Sequence, residues 1–65
     1  MDFKFIGTNL SFPELQDMIH RNLNQDWADV QDVVVWEDER GIIRWSSTAM
    51  IDGRELDIDG TVTLV

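Results

Sequence analysis

The feature that most constrains this chain is an Asp52-Gly53 dipeptide between two segments of alternating apolar and polar residues. Asp-Gly strongly favours a two-residue hairpin turn, in which the backbone takes positive φ angles. Such a turn pairs Ile51 with Arg54 and therefore Trp45 with Gly60, where the ring can cover the missing side chain. On the last strand, this register predicts apolar residues on one face (Leu56, Ile58, Val62, Leu64) and acids on the other (Glu55, Asp57, Asp59).

Local patterns indicate the remaining elements. Ser11 and Glu14 have the spacing of a capping box, and the apolar residues that follow predict a helix from about Phe12 to Leu23. Short alternating or β-branched segments predict strands at 3–6, 30–37, 42–51 and 55–65. The chain is therefore predicted to be a single α+β domain over residues 1–65. A three-stranded antiparallel meander, together with an N-terminal strand whose place in the sheet is open, packs on one helix in the order β-α-β-β-β.

Size and charge limit the classes of function. The chain has 65 residues, no cysteine and a net charge of −8. The charge disfavours direct binding to nucleic acid or to an anionic membrane and favours a basic protein partner, although acidity also serves solubility alone. No apolar run approaches the ~20 residues of a membrane span, and the first residues lack the pattern of a signal peptide. We expect a soluble cytoplasmic protein.

Acidic residues are the main candidate binding groups. Glu55, Asp57 and Asp59 alternate along one strand, so their carboxylates should stand about 7 Å apart on one face. Such a row can imitate the phosphates of a nucleic acid and occupy the groove of a basic nucleic-acid enzyme. The alternative is an ordinary solvated sheet face. Further candidate acids are predicted at the tip of the first hairpin (Glu37, Asp38, Glu39).

Apolar side chains accompany the acids on the predicted outer surface of the sheet. Ile42 and Met50 fall on this surface, as does one of Val35 and Trp36, depending on the register of the first hairpin. Exposed apolar residues surrounded by charge are typical of protein interfaces. The surface is therefore predicted to contact a partner or a second copy of the chain. The alternative is that the chain's own helix covers it.

Two tryptophans and one arginine complete the candidate site. Tryptophan is enriched among binding hot spots, which makes Trp36 a candidate contact. Trp27, in the connector after the helix, fits a role as a core anchor or a partner contact equally well. Arg44 is predicted to lie beside an aromatic ring or to pair with Asp59.

The sequence offers little for catalysis or metal binding. His20 is the only histidine and is predicted to be a surface residue on the polar side of the helix. No nucleophile elbow, phosphate-binding loop or metal-ligand spacing accompanies it. The run from Glu55 to Gly60 resembles the start of a calcium loop, but strands flank it instead of helices. We expect no enzymatic activity, no cofactor and no metal.

Two functional hypotheses follow from these residues. The first is a small acidic inhibitor or adaptor that docks on a basic, nucleic-acid-binding protein through its acidic sheet face. Compact acidic proteins of this class are common among phage-encoded antagonists of host enzymes. The alternative is a structural subunit that associates with copies of itself, for example as a homodimer. Salt separates the two, because electrostatic steering weakens as ionic strength rises.

Overall fold

The computed structural model describes residues 1–7, 9–26 and 29–65, with residues 25 and 26 described by their backbone alone. The elements follow the order β1 (Asp2–Phe5), α1 (Phe12–Asp26), β2 (Val30–Glu37), β3 (Ile43–Ile51) and β4 (Arg54–Leu64). One helix and one four-stranded mixed sheet thus confirm the predicted α+β fold. The turn predicted at 7–9 includes Thr8, which lies outside the described residues.

The β3–β4 hairpin has the predicted register along its whole length, from Ile51 opposite Arg54 to Ile43 opposite Val62. Its Asp52-Gly53 turn has φ angles of 51° and 75°, as a two-residue turn of this type requires. Local turn chemistry and the alternation of the flanking residues therefore agree on one pairing.

The first strand occupies an edge of the sheet, in the strand order β1-β4-β3-β2. It runs parallel to β4, with Phe3 opposite Val62 and Phe5 opposite Leu64. The chain then crosses the sheet through α1 and enters β2 at the other edge. This arrangement settles the position of the first strand, which the sequence left open.

The core lies between α1 and one face of the sheet, here called the inner face. Leu15, Ile19 and Leu23 recur every four residues and are fully or almost fully buried, so they form a single apolar stripe on the helix. The largest buried side chain is Trp45, at the centre of β3. The other buried apolar residues all come from the sheet (Val30, Val35, Ala49, Val62).

A β-bulge in β2 decides which residues of the first hairpin face the core. The register with β3 shifts between Gln31 and Val34, and Asp32 there has a positive φ of 55°. The hydroxyl of buried Ser47 donates to the Gln31 carbonyl at 2.7 Å, which satisfies a backbone group beside the irregularity. After the bulge Val35 lies opposite Trp45 on the inner face, so Trp36 faces outward.

The helix begins as predicted but ends later. The Glu14 amide donates to the Ser11 hydroxyl at 3.3 Å, and that hydroxyl donates to the Glu14 carboxylate at 3.1 Å. At the other end α1 continues to Asp26, three residues beyond the expected end at Leu23. The start of the helix is thus fixed by two side chains three residues apart, as a capping box implies.

Two polar residues near the end of α1 attach it to β2. A ring nitrogen of His20 lies 3.1 Å from the Val30 carbonyl, and the Val30 amide donates to the Asn24 side-chain oxygen at 3.1 Å. His20 is half-buried against β2, so it is less exposed than the surface position predicted for it. The reason is a contact with a strand ten residues away, which helical periodicity alone does not show.

Gly60 is required by a backbone contact as well as by the Trp45 ring. A Cβ atom at Gly60 would lie 1.4 Å from the Met1 carbonyl oxygen and 2.8 Å from the Trp45 ring nitrogen. The Met1 carbonyl accepts from the Thr61 amide at 3.2 Å and from Trp45 Nε1 at 3.3 Å. The predicted Trp45–Gly60 pair is confirmed, and the residue before β1 fills much of the same space.

Candidate protein-binding face

The surface of the sheet opposite α1, here called the outer face, is lined by alternate residues of all four strands. Its polar members include both charged and hydroxyl side chains (Asp2, Lys4, Arg44, Ser46, Thr48, Glu55, Asp57, Asp59, Thr61, Thr63). Its apolar members are Val34, Trp36 and Met50. Since α1 packs on the inner face, no helix within the described ranges covers this surface.

Three carboxylates, here called the acid row, follow one another along β4 on the outer face. Glu55, Asp57 and Asp59 are all exposed and alternate along the strand, as the sequence predicts. None of them forms a salt bridge with another of the described residues. The only side chain that contacts the row through a hydrogen bond in this part of the chain is Thr48, whose hydroxyl donates to Asp57 at 3.5 Å. The charges of the row therefore remain directed at solvent.

Asp2 adds a fourth carboxylate that the sequence analysis missed. It lies on β1 opposite Thr61, whose hydroxyl donates to it at 2.7 Å. This hydrogen bond is the main reason that the pKa of Asp2 is lowered from its ordinary value. The alternation of Asp2 and Lys4 with the two phenylalanines indicates that Asp2 and Lys4 lie on the face of β1 opposite to the phenylalanines. Only the pairing of β1 with β4 places Asp2 beside the acid row.

The acids of the first hairpin are arranged differently from the acid row. Asp38 accepts from Arg44 Nε at 2.6 Å and from the amides of Arg40 and Ile42 at 2.8 and 3.0 Å. These contacts, with the Arg44 hydrogen bond the largest, lower the pKa of Asp38. The Asp38 charge is thus largely compensated within the chain.

Glu37 and Glu39 do not extend the acid row either. Glu37 pairs with Ile43 and lies on the side of β2 opposite to Trp36, although it is exposed. Glu39 is exposed at the turn, at the end of the sheet opposite to Asp52-Gly53. The six predicted acids therefore form two separate groups, the acid row along β4 and the acids at the end of the first hairpin.

Large apolar side chains lie beside the charges of the outer face. Trp36 is 39% exposed and Val34 48% exposed on the edge strand β2, and Met50 is exposed opposite Glu55. Ile42 is also exposed, just before β3. The structure thus confirms that apolar and acidic groups share this side of the sheet. Trp27, the other predicted tryptophan contact, lies outside the described residues.

A shallow depression of about 130 Å³ lies on the outer face at one end of the acid row. Its walls are the side chains of Trp36, Arg44, Asp59 and Thr61. The remaining lining residues, Trp45 and Gly60, form a cross-strand pair. They contribute backbone only, because the Trp45 side chain is fully buried on the other face and Gly60 has none. We call this feature the dimple.

In the part of the chain that the structure describes, neither a metal-binding group of side chains nor a membrane-spanning helix is found. Among the residues it describes, no three or more histidine, cysteine, aspartate or glutamate side chains are grouped to hold a metal ion. Within the same residues, no helix is long and apolar enough to cross a membrane. Comparison of the chain with protein-family models, characterised proteins and solved structures found no match. The function is therefore inferred from the outer face itself.

Proposed function

We propose that the chain is a small acidic binding protein, without enzymatic activity, that docks on a basic protein through its outer face. Glu55, Asp57 and Asp59 supply the attraction, and Trp36 supplies a short-range contact. In this proposal the partner is a nucleic-acid-binding protein, whose phosphate-binding groove the acid row occupies, and the chain acts as an inhibitor or adaptor. The row follows β4 with a spacing of about 7 Å between alternate side chains, similar to the spacing of phosphates along one nucleic-acid strand.

The observation that supports this most directly is that the acid row has no ion pair with any described residue. No described arginine or lysine pairs with the acid row, although Arg44 lies two strand positions away on β3. Arg44 is instead bound by Asp38. A row of unpaired carboxylates on a rigid sheet produces a directed negative potential, which steers a basic partner and raises its association rate.

The exposed residues of β2 favour a second candidate function. Val34 and Trp36 are exposed on a strand at the edge of the sheet, and an uncovered apolar edge strand favours pairing with another strand. A second copy of the chain, joined edge to edge, would bury these residues. In that case the protein is a structural subunit, and its association depends little on salt.

The test replaces the acid row by neutral isosteres in the triple variant Glu55→Gln/Asp57→Asn/Asp59→Asn. A basic protein captured from a lysate by the wild-type chain is identified by mass spectrometry and purified, and its Kd is measured for each variant. If each carboxylate contributes ~1 kcal/mol, as exposed ion pairs do at most, the triple variant binds about 100-fold more weakly. The association rate of the wild type should also fall steeply as ionic strength rises.

A control variant with the same change in net charge separates position from total charge. Asp17→Asn/Asp29→Asn/Asp32→Asn removes three exposed acids outside the acid row and should lower the affinity only a few-fold. Equal affinity of the triple variant and the wild type rejects the proposal. Equal weakening by the two triple variants shows that overall charge, and not the acid row, attracts the partner. Salt-insensitive dimerisation of the wild type supports the second candidate.

A further inference from the structure

The dimple combines an exposed aromatic side chain with a carboxylate of the acid row. One exposed aromatic ring, Trp36, and one carboxylate without an ion pair among the described residues, Asp59, line the same depression over a floor of backbone. Arg44 lies on the strand between them. The volume of the dimple, about 130 Å³, is several times the ~30 Å³ that one water molecule occupies in the liquid. The dimple can therefore admit the end of a long side chain.

We propose that the dimple binds the guanidinium group of an arginine side chain from the basic partner. The inference rests on the proposed function and adds to it the contact that fixes the position of the partner along the acid row. The acid row alone attracts positive charge at three similar positions, whereas the dimple would bind a cation at one defined position, at one end of the row.

Trp36 and Asp59 supply complementary contacts for such a group. An indole face attracts a cation, and arginine in particular stacks on aromatic rings because its guanidinium is planar and weakly hydrated. A carboxylate accepts two parallel hydrogen bonds from the same group. Lysine, as a compact and strongly hydrated charge, gains less from the ring. The chemistry of the lining thus favours arginine over lysine.

The cationic wall of the dimple, Arg44, does not reverse its electrostatic sign. Arg44 Nε is bound to Asp38 at 2.6 Å, so that its charge is compensated by a carboxylate outside the dimple. Thr61, on the opposite wall, is hydrogen-bonded to ionised Asp2. Three carboxylates (Asp2, Asp38, Asp59) line the dimple or are bonded to its walls, and two cationic groups oppose them, the Arg44 guanidinium and the Met1 ammonium, which donates to the Asp59 carbonyl at 3.2 Å. The balance of these charges is negative, so the local potential favours an incoming cation.

The experiment uses small probes, so it does not depend on the identity of the partner. The ¹⁵N-labelled wild-type chain is titrated with N-acetyl-arginine methylamide at constant ionic strength, and amide and indole shifts are followed by NMR. The citrulline analogue of the probe has the same shape without the charge. We expect saturable shifts at Trp36, Arg44 and residues 59–61 with the arginine probe and none with the citrulline probe.

Three variants locate the binding to the dimple. Asp59→Asn should weaken binding of the arginine probe about fivefold to tenfold, which corresponds to loss of one charge-assisted contact. Asp57→Asn, which removes the neighbouring carboxylate of the acid row, should change it less than about twofold. Trp36→Leu keeps an apolar side chain but lacks the aromatic face, and should weaken binding about threefold. Each variant is checked for folding by its amide spectrum, which should match that of the wild type at positions away from the substitution.

Several results would overturn the inference. Equal binding of the arginine and citrulline probes would show that charge is not recognised. Equal weakening by Asp57→Asn and Asp59→Asn would show diffuse attraction along the acid row. Tighter binding of an N-acetyl-glutamate methylamide probe would show that Arg44 dominates the dimple. In each case the proposed function is tested separately, by the affinity of the triple variant of the acid row for the purified partner. A failure of the inference can therefore be distinguished from a failure of the proposed function.

Discussion

The first hairpin forms its turn around a carboxylate, whereas the second forms its turn with backbone alone. In the first, Asp38 accepts from two amides of the turn and from Arg44 on the following strand. In the second, the positive φ angles of Asp52-Gly53 suffice, and the acids that follow on β4 have no ion pair within the described residues. Acids in the two hairpins look alike in sequence, but Asp38 is bonded within the fold, whereas the acid row has no ion pair with the described residues.

The largest effect on stability is expected in the second hairpin from Gly60→Ala, because that hairpin depends on close packing. The new Cβ would lie 1.4 Å from the Met1 carbonyl oxygen, which must move away together with its bonds to Thr61 and Trp45. Crowding of a packed site costs about 1–3 kcal/mol or more. The free energy of unfolding, measured by urea denaturation, should fall by at least this amount.

A nearby substitution on the same strand provides the control for Gly60→Ala. Thr63→Ala changes an exposed residue of β4 and should alter the free energy of unfolding by less than about 0.5 kcal/mol. A Gly60→Ala variant as stable as the wild type would show that the contact between Met1 and β4 contributes little. It would also remove the main packing difference between the two hairpins.

The next largest effect is expected in the first hairpin from Asp38→Ala. This change removes the acceptor for the Arg40 and Ile42 amides and leaves Arg44 without its partner. The urea midpoint at pH 7 should therefore decrease. Because the native pKa of Asp38 lies below its ordinary value of 3.8, its stabilising contribution is complete above that value and is lost as the pH falls through the native pKa. The variant should lose this component of the acid dependence.

The neighbouring Glu39→Ala variant is the control for Asp38. Glu39 is exposed in the same turn, and its side chain forms no hydrogen bond or ion pair with a described residue. Its loss should leave both the midpoint at pH 7 and the acid profile close to those of the wild type. If the two variants behave alike, Asp38 has no special role, and the contrast between the two hairpins fails.

The sequence predicted the second hairpin better than the first because two local signals agreed there. The Asp52-Gly53 turn and the alternation on β4 both require the same register, so a slip of one residue would expose the whole apolar face. In the first hairpin an additional residue at the bulge breaks the alternation. Whether Val35 or Trp36 faced the core therefore depended on the backbone of Asp32, which no pattern in the sequence reveals.

Other parts of the structure depend on contacts between residues distant in the chain. The placement of Asp2 beside β4, and of the Met1 carbonyl over Gly60, follows from the edge position of β1. Arg44 lies opposite Trp36, but the predicted alternative of an ion pair with Asp59 is wrong, because Arg44 pairs with Asp38. Individual acids could be assigned to faces from alternation, but their partners could not, because hydrogen bonds across the sheet have no local signature.

The smallest effect on stability is expected from neutralising the acid row, in contrast to the effect of losing Asp38 in the first hairpin. The triple variant Glu55→Gln/Asp57→Asn/Asp59→Asn removes three exposed charges that repel one another along β4 and that form no ion pair with the described part of the chain. Its free energy of unfolding should stay within about 0.5 kcal/mol of the wild type, or rise slightly at low salt as repulsion is relieved. A loss of more than about 2 kcal/mol in urea denaturation would instead place the row among the groups that hold the fold together, as Asp38 does. The acid row could then no longer be regarded as free for a partner, because carboxylates that stabilise the fold already have their contacts within it.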